Sequence, residues 1–199
     1  MKTYESVLSF WFGSYEDDAA TAEAKRSLWF SKDPGTDMEV AKLFEKTVFA
    51  LHGEKLKEWE ESPRSLLALI IVADQFPRNI YRGTSASFAF DEKALGFSLR
   101  SLARGFDKEV RPLERAFIYF PFEHAESANM QDKSVKLFTS LLNEAGDGGK
   151  EVFESFLDYA IRHKEIIDRF GRFPHRNKIL GRISTPEELA FLKTHGSKF

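Results

Sequence analysis

The chain has 199 residues, of which 42% are hydrophobic and 30% charged, with a formal net charge of -2 and no cysteine. This is the composition of a globular protein, and it excludes disulfides, thiolate nucleophiles and cysteine-based zinc sites. No apolar run approaches the roughly 20 residues that span a bilayer, and a charge this close to neutral gives no general case for nucleic acid. The length suits one domain over residues 1–199, and the absence of cysteine suits a cytoplasmic setting.

The elements read as helices nearly throughout. "MKTYESVLSFWFG" reads as a first helix, since no small-residue cleavage site follows it before the acidic cluster. "TDMEVAKLFEKTVFALH" sets Thr36 and Glu39 at the spacing of a capping box. "SPRSLLALIIVADQF" offers Ser62 as cap and Pro63 in the first turn, and its apolar run from Leu66 to Ala73 marks a buried helix. "DEKALGFSLRSLARG" opens on acids and closes on Gly105. "RPLERAFIYF" predicts a helix ending near Phe120, and "SANMQDKSVKLFTSLLNEAG" predicts the next. The run from Glu151 to Phe170 carries Phe153, Phe156, Leu157, Ala160 and Ile167 on one stripe and ends at Gly171. "STPEELAFL" closes the series with Thr185 as cap and Glu188 in the reciprocal position. No stretch alternates with period two, so the fold class is all-α, with about nine or ten helices. "NEAGDGGK" is the most loop-like stretch and the expected mobile point.

Two stretches repeat one mixture of groups after helical runs: "DQFPRN" at 74–79 and "RFPHRN" at 172–177. Charge is uneven in the same sense, with 13 acidic and 8 basic residues in 1–62, against 2 acidic and 7 basic in 160–182. Asp74 ends an apolar helix, where burial and the negative end of the helix dipole both oppose its charge. It therefore needs a cation. Arg78 and Arg82 lie beyond Pro77, which should stop the helix, so an Arg of the second stretch, Arg169, Arg172 or Arg176, is the expected partner. Several guanidinium groups beside a turn suit a carboxylate or phosphate. Alternatively, internal acids such as Asp74, Asp168 and Glu126 consume them.

"FPFEHAE" places His124 beside Glu126, the minimal pair for general acid or base chemistry. His163 lies on the apolar stripe of the long helix, as a hydrogen-bonded core residue or as a pocket wall shared with His124 and Arg169. His124, His163 and His175 with Glu126 or Asp74 are the candidate metal ligands, but the spacing argues against a metal, with neither an i, i+4 His pair nor a Glu-x-x-His, and no cofactor fingerprint or phosphate-cradling Gly loop occurs. Trp11, Phe12, Trp29 and Phe30 are expected to fill the core, with a peptide groove as the alternative. No basic face runs along several helices, which argues against nucleic acid.

"VLSFWFG", "LALIIVADQFPRNIYRGTSASFAFDEKAL", "ERAFIYFPFEHAE" and "HKEIIDRFGRFPHRNKILGRISTPEELAFL" together resemble the bacterial domain-of-unknown-function family 924 over essentially the whole chain. The resemblance implies antiparallel helix hairpins stacked in a tetratricopeptide-repeat-like superhelix, and no established activity. The family's hallmark residues fall on Asp74, Gln75, Arg78, Asn79, Arg82, His124, Glu126, His163, Arg169, Arg172, His175, Arg176 and Asn177. Where its members usually carry Ser, this chain has Ala125, which weighs against a serine nucleophile. Three functions stay open. The first is binding of a small anionic molecule or peptide carboxylate by Asp74, Arg78, Asn79, His163, Arg169, Arg172, His175, Arg176 and Asn177. The second is a metal-independent hydrolase or isomerase using His124 and Glu126. The third is a protein-interaction module whose polar cluster is structural.

Overall fold

The computed structural model describes residues 1–14, 17–53, 55–145 and 150–194. Among these residues the secondary structure is helical, without strands: α1 (Tyr4–Phe12), α2 (Asp18–Phe30), α3 (Pro34–Ala50), α4 (Pro63–Asp74), α5 (Phe76–Ile80), α6 (Asp91–Arg104), α7 (Pro112–Glu123), α8 (Ala128–Glu144), α9 (Lys150–Phe170) and α10 (Pro186–Phe191). The all-α expectation holds. The loop-like residues 146–149 lie outside the described residues.

Local chemistry fixes the helix ends. Ser62 Oγ accepts the Ser65 amide at 3.3 Å to start α4, and Thr185 and Glu188 form a reciprocal capping box on α10. α6 closes on Gly105 at φ 71° and α9 on Gly171 at φ 68°, a region that glycine enters without steric penalty. α3 differs from expectation. Its cap is Asp33, whose Oδ2 accepts the Thr36 amide at 2.7 Å, because Pro34 sets the first turn and moves the start ahead of Thr36.

α4 lies at the centre of the molecule, with every residue from Ser65 to Asp74 buried. α1, α3, α6 and α7 pack around it. Burying each Leu or Ile of α4 stabilises the fold by about 1.5–3 kcal/mol. Rings fill the space beside it: Trp29 and Phe117 lie 4.9 Å apart, and Phe44 stacks on Phe76 at 4.6 Å. Trp11, Phe12 and Trp29 are core residues, whereas Phe30 is 51% exposed. α7 packs on α8 and α8 on α9, a neighbour-on-neighbour order compatible with a hairpin stack. Ile166, Ile167 and Phe173 form a smaller second cluster with Phe170 and Phe191. No helix among the described residues is long and apolar enough to cross a membrane.

Candidate functional site

The seam between the two apolar clusters is polar. Asp74 lies there, fully buried, at the C-terminal end of α4. The chain turns at Gln75 straight into α5, with Pro77 in its first turn, where its missing N–H costs nothing. Arg78 consequently folds back on the end of α4. Its Nη1 donates to the Asp74 carbonyl at 2.6 Å and lies 3.4 Å from Asp74 Oδ1. Gln75 Nε2 donates to Asp74 Oδ2 at 2.5 Å. Burial alone would push the Asp74 carboxyl up, but Arg78, His124 and Gln75 hold it down at about 2.

His124 comes to the same carboxylate from another helix. α7 runs through Pro121 to Glu123, past the expected end at Phe120, and His124 is its C-terminal cap residue. Gln131, fully buried on α8, donates Nε2 to the carbonyls of Glu123 at 2.7 Å and Ala125 at 2.8 Å. The last carbonyls of a helix lack a partner within it, so Gln131 caps Glu123 and, together with the Ser127 amide that also donates to the Ala125 carbonyl at 2.9 Å, fixes the turn that carries the imidazole. His124 Nδ1 lies 2.8 Å from Asp74 Oδ1. Since the carboxylate is ionised, Nδ1 is the protonated nitrogen, and the lone pair is left on Nε2, which makes no hydrogen bond among the described residues. Burial, and then the charge of Arg78, lower the imidazole pKa and keep it neutral.

The two similar stretches meet at Asp91, the first residue of α6. Arg78 grips it with two nitrogens, Nη1 to Oδ1 at 2.9 Å and Nη2 to Oδ2 at 3.2 Å. Arg176 Nη1 reaches Oδ2 at 3.3 Å. The Arg176 guanidinium is held between Phe88 and Phe173, with ring centres 4.6 and 4.5 Å away, and its Nε is buried without a hydrogen-bond partner. Burial, and then repulsion from Arg78, lower its pKa to about 10, which leaves it charged at neutral pH.

A second imidazole and carboxyl lie alongside. His163 Nδ1 is 2.8 Å from the Tyr159 carbonyl and 3.2 Å from Glu123 Oε1. Its ring centre is 6.3 Å from that of His124. Burial, and then the charge of Asp74, push the Glu123 carboxyl well above the ordinary range, which favours the neutral acid, and its Oε2 is buried without a hydrogen-bond partner among the described residues.

The DUF924 family, described as a bacterial protein of unknown function, matches residues 7–196. The chain belongs to this family. A solved structure of a protein of unknown function from Agrobacterium tumefaciens is similar to it, with 36% identity, 96% of each chain covered and a TM-score of 0.81. No curated protein matches.

In this DUF924 chain several expected contacts take another form. Among the described residues Asp74 makes no hydrogen bond or ion pair with Arg169, Arg172 or Arg176; Arg78 takes that role, because Pro77 sits in the first turn of a new helix, α5, instead of ending helical structure. His124 is oriented by Asp74 and not by Glu126. Glu126 instead accepts the Phe173 amide at 2.7 Å and two nitrogens of Arg182 at 2.5 and 2.9 Å. Arg169 pairs with Glu187 on the surface, and Arg172 grips Glu188, so both serve the docking of α10. Asn79 donates to Asp37, which Arg82 also holds. Asn177 is fully buried and donates to Ser184 and Glu188. Asp168 pairs with Lys164. His163 joins His124, while Arg169 lies elsewhere. His175 is half-buried with its ring 5.7 Å from Phe173, and burial lowers its pKa to about 4.

Sequence reasoning missed Asp91, Glu123, Gln131 and Arg182. Two surface hollows, of about 480 and 430 Å³, are lined by other residues, around Tyr4 and Trp59 and around Leu69 and Phe97. Among the described residues no group of three or more His, Asp or Glu side chains is arranged to hold a metal ion.

Proposed function

We propose that this DUF924 protein catalyses proton transfer on a small polar substrate, with His124 as general base and Asp74 as the group that orients it. The observation that carries this reading is the 2.8 Å contact between buried Asp74 Oδ1 and His124 Nδ1, with Nε2 making no hydrogen bond among the described residues. A carboxylate on one imidazole nitrogen selects the tautomer whose other nitrogen accepts a proton, and it stabilises the imidazolium that forms. Hydrolysis of an activated ester and isomerisation of a carbonyl compound both require such a base. A cytoplasmic location belongs to the same proposal and rests on the absence of cysteine. Binding of a small anionic molecule without turnover is the second reading, favoured by the unpartnered Nε of Arg176.

The test combines nitrogen-15 NMR with a substrate screen. At pH 7 His124 should appear as the Nδ1–H tautomer in the wild type and lose that preference in Asp74→Asn. Turnover of esters, amides, phosphoesters or enolisable carbonyl compounds should fall at least about a hundredfold in His124→Gln, with the melting temperature retained. An Nε2–H tautomer in the wild type, or turnover indifferent to His124, would overturn the reading.

A further inference from the structure

We infer that Arg78 and Arg176 form the binding slot for a compact oxyanion, a carboxylate or phosphate carried by the substrate, and that Asp91 occupies this slot until the anion displaces it. This deepens the proton-transfer reading by naming the charge its substrate carries, and rests on it for the chemistry that follows binding.

Two guanidinium groups from distant parts of the chain, at positions 78 and 176, converge on one carboxylate. Arg78 uses both Nη atoms on Asp91, and Arg176 adds its own Nη1. Planar forks of this kind match carboxylate and phosphate oxygens. Arg176 is only 6% exposed, and among the described residues its guanidinium makes a single hydrogen bond, the long one to Asp91. A guanidinium carries five N–H donors, and buried donors are ordinarily satisfied. Arg176 therefore has capacity that Asp91 does not fill, and an oxyanion with a further oxygen reaches more of it.

Asp91 is suited to leave. Its carboxylate is 20% exposed, and α6 makes no side-chain cap hydrogen bond at its start. Rotating Asp91 toward solvent breaks its arginine contacts and leaves the helix intact. Charge then demands a replacement. With Asp91 in place, Asp74 and Asp91 balance Arg78 and Arg176; with Asp91 turned out, one buried cation, Arg176, and one partly buried cation, Arg78, whose side chain is 20% exposed, face one anion. An uncompensated buried charge is strongly unfavourable. The position also suits the chemistry, since Asp74 Oδ1 faces both Arg78 and His124, so an anion held by Arg78 shares a carboxylate neighbour with the imidazole.

The test is a melting-temperature and calorimetric titration with sodium phosphate and sodium acetate, against sodium chloride at matched ionic strength. Asp91→Ala and Asp91→Asn should gain a shift of about 3 °C or more over chloride, and bind the anion at least about tenfold tighter than the wild type, in which Asp91 competes. Asp91→Ala with Arg176→Gln should lose the response. A response to phosphate alone assigns a phosphate group, and one to acetate a carboxylate. In the wild type the same anions at high concentration should shift the Arg176 Nε–H resonance, a readout that survives if either variant fails to fold. Responses in the Asp91 variants no larger than in the wild type, or an unmoved Arg176 resonance, would overturn the slot. Adding His124→Gln to Asp91→Ala should keep the anion response, so loss of turnover and loss of the slot are read separately.

Discussion

Asp74 Oδ1 and His124 Nδ1 lie 2.8 Å apart across 50 residues of sequence, and the same oxygen faces Arg78. Breaking a buried charged pair costs up to about 3–5 kcal/mol, and removing Asp74 leaves Arg78 with Asp91 as its remaining carboxylate, so that figure is the upper bound here. Asp74→Asn and Asp74→Ala should both lose stability up to that bound in urea denaturation, Asn less, because its carbonyl still accepts from His124. The acid limb follows from the lowered pKa. Asp74 titrates near 3.8 unfolded and about 2 folded, so its contribution is complete above 3.8 and is lost as pH falls through about 2. Glu144 and Glu188 are held at about 2 as well, so Asp74→Asn should shrink the loss between pH 4 and 2 without abolishing it. An unchanged midpoint in the Asn variant would show that the carboxylate is not paired.

Three imidazoles set the next limb. His124 faces Asp74, Arg78, Asp91 and His163; His163 faces His124, Glu123, Arg176 and His175; His175 faces Arg176, Glu126, Lys32 and Arg182. Burial is the first cause of lowering in each. The unfolded imidazoles take up protons near 6.5 and the folded ones only at lower pH, His175 at about 4. Stability should therefore be full above pH 6.5 and fall on acidification, by up to about 1.4 kcal/mol per pH unit for each group. Urea midpoints between pH 7.5 and 5 measure this slope, and His175→Gln should lessen it. A flat wild-type curve would mean that the imidazoles are not held neutral.

Glu123 acts in the opposite sense. Its folded pKa is raised by burial and by Asp74, so the stability tied to its proton is present below the unfolded value of 4.5 and is lost as pH rises toward the folded value. Glu123→Gln copies the neutral acid and removes that dependence. The variant should match the wild type near pH 4, exceed it at pH 8, and show a steeper loss on acidification, since the opposing slope is gone. Equal stability of the two proteins at both pH values would place an ionised, compensated carboxylate at this position.

The helices were legible because caps and breakers act locally: Ser62–Pro63, Thr185–Pro186, Gly105 and Gly171 each mark an end through chemistry confined to a few residues. Asp74 was legible as a buried acid needing a cation, because the run before it is apolar throughout. Its partner was not. Pro77 reads as a stop, yet a first-turn proline is tolerated, and the five residues of α5 carry no periodicity that would announce a helix. The Asp74–His124 contact is set by how α7 packs on α4, which spacing along the chain does not encode. Asp91 reads only as an acid favouring a helix start, and Gln131 as a polar residue on an amphipathic helix. Glu123 did leave a signal, a carboxylate at the end of the aromatic run "FIYFPF".

Glu126 ties the end of the chain to this centre, and its loss should be felt locally. Its carboxylate accepts the Phe173 amide and two nitrogens of Arg182, and Arg182 also donates to Asn177 Oδ1 and the Phe173 carbonyl. Phe173 in turn forms one wall of the Arg176 sandwich. Glu126→Ala should cost about 1–3 kcal/mol, the scale of hydrogen bonds to a charged group, reduced here because Arg182 and Glu126 are each 24% exposed. Glu126→Gln keeps an acceptor for the Phe173 amide and should recover part of the loss. Hydrogen exchange separates a local clasp from a global support. In Glu126→Ala the amides of Phe173, Arg176 and Asn177 should exchange at least about tenfold faster, while those of α4 keep protection set by the global stability. Acceleration by one common factor throughout would mean that Glu126 supports the whole fold and does not act as a clasp on residues 173–182.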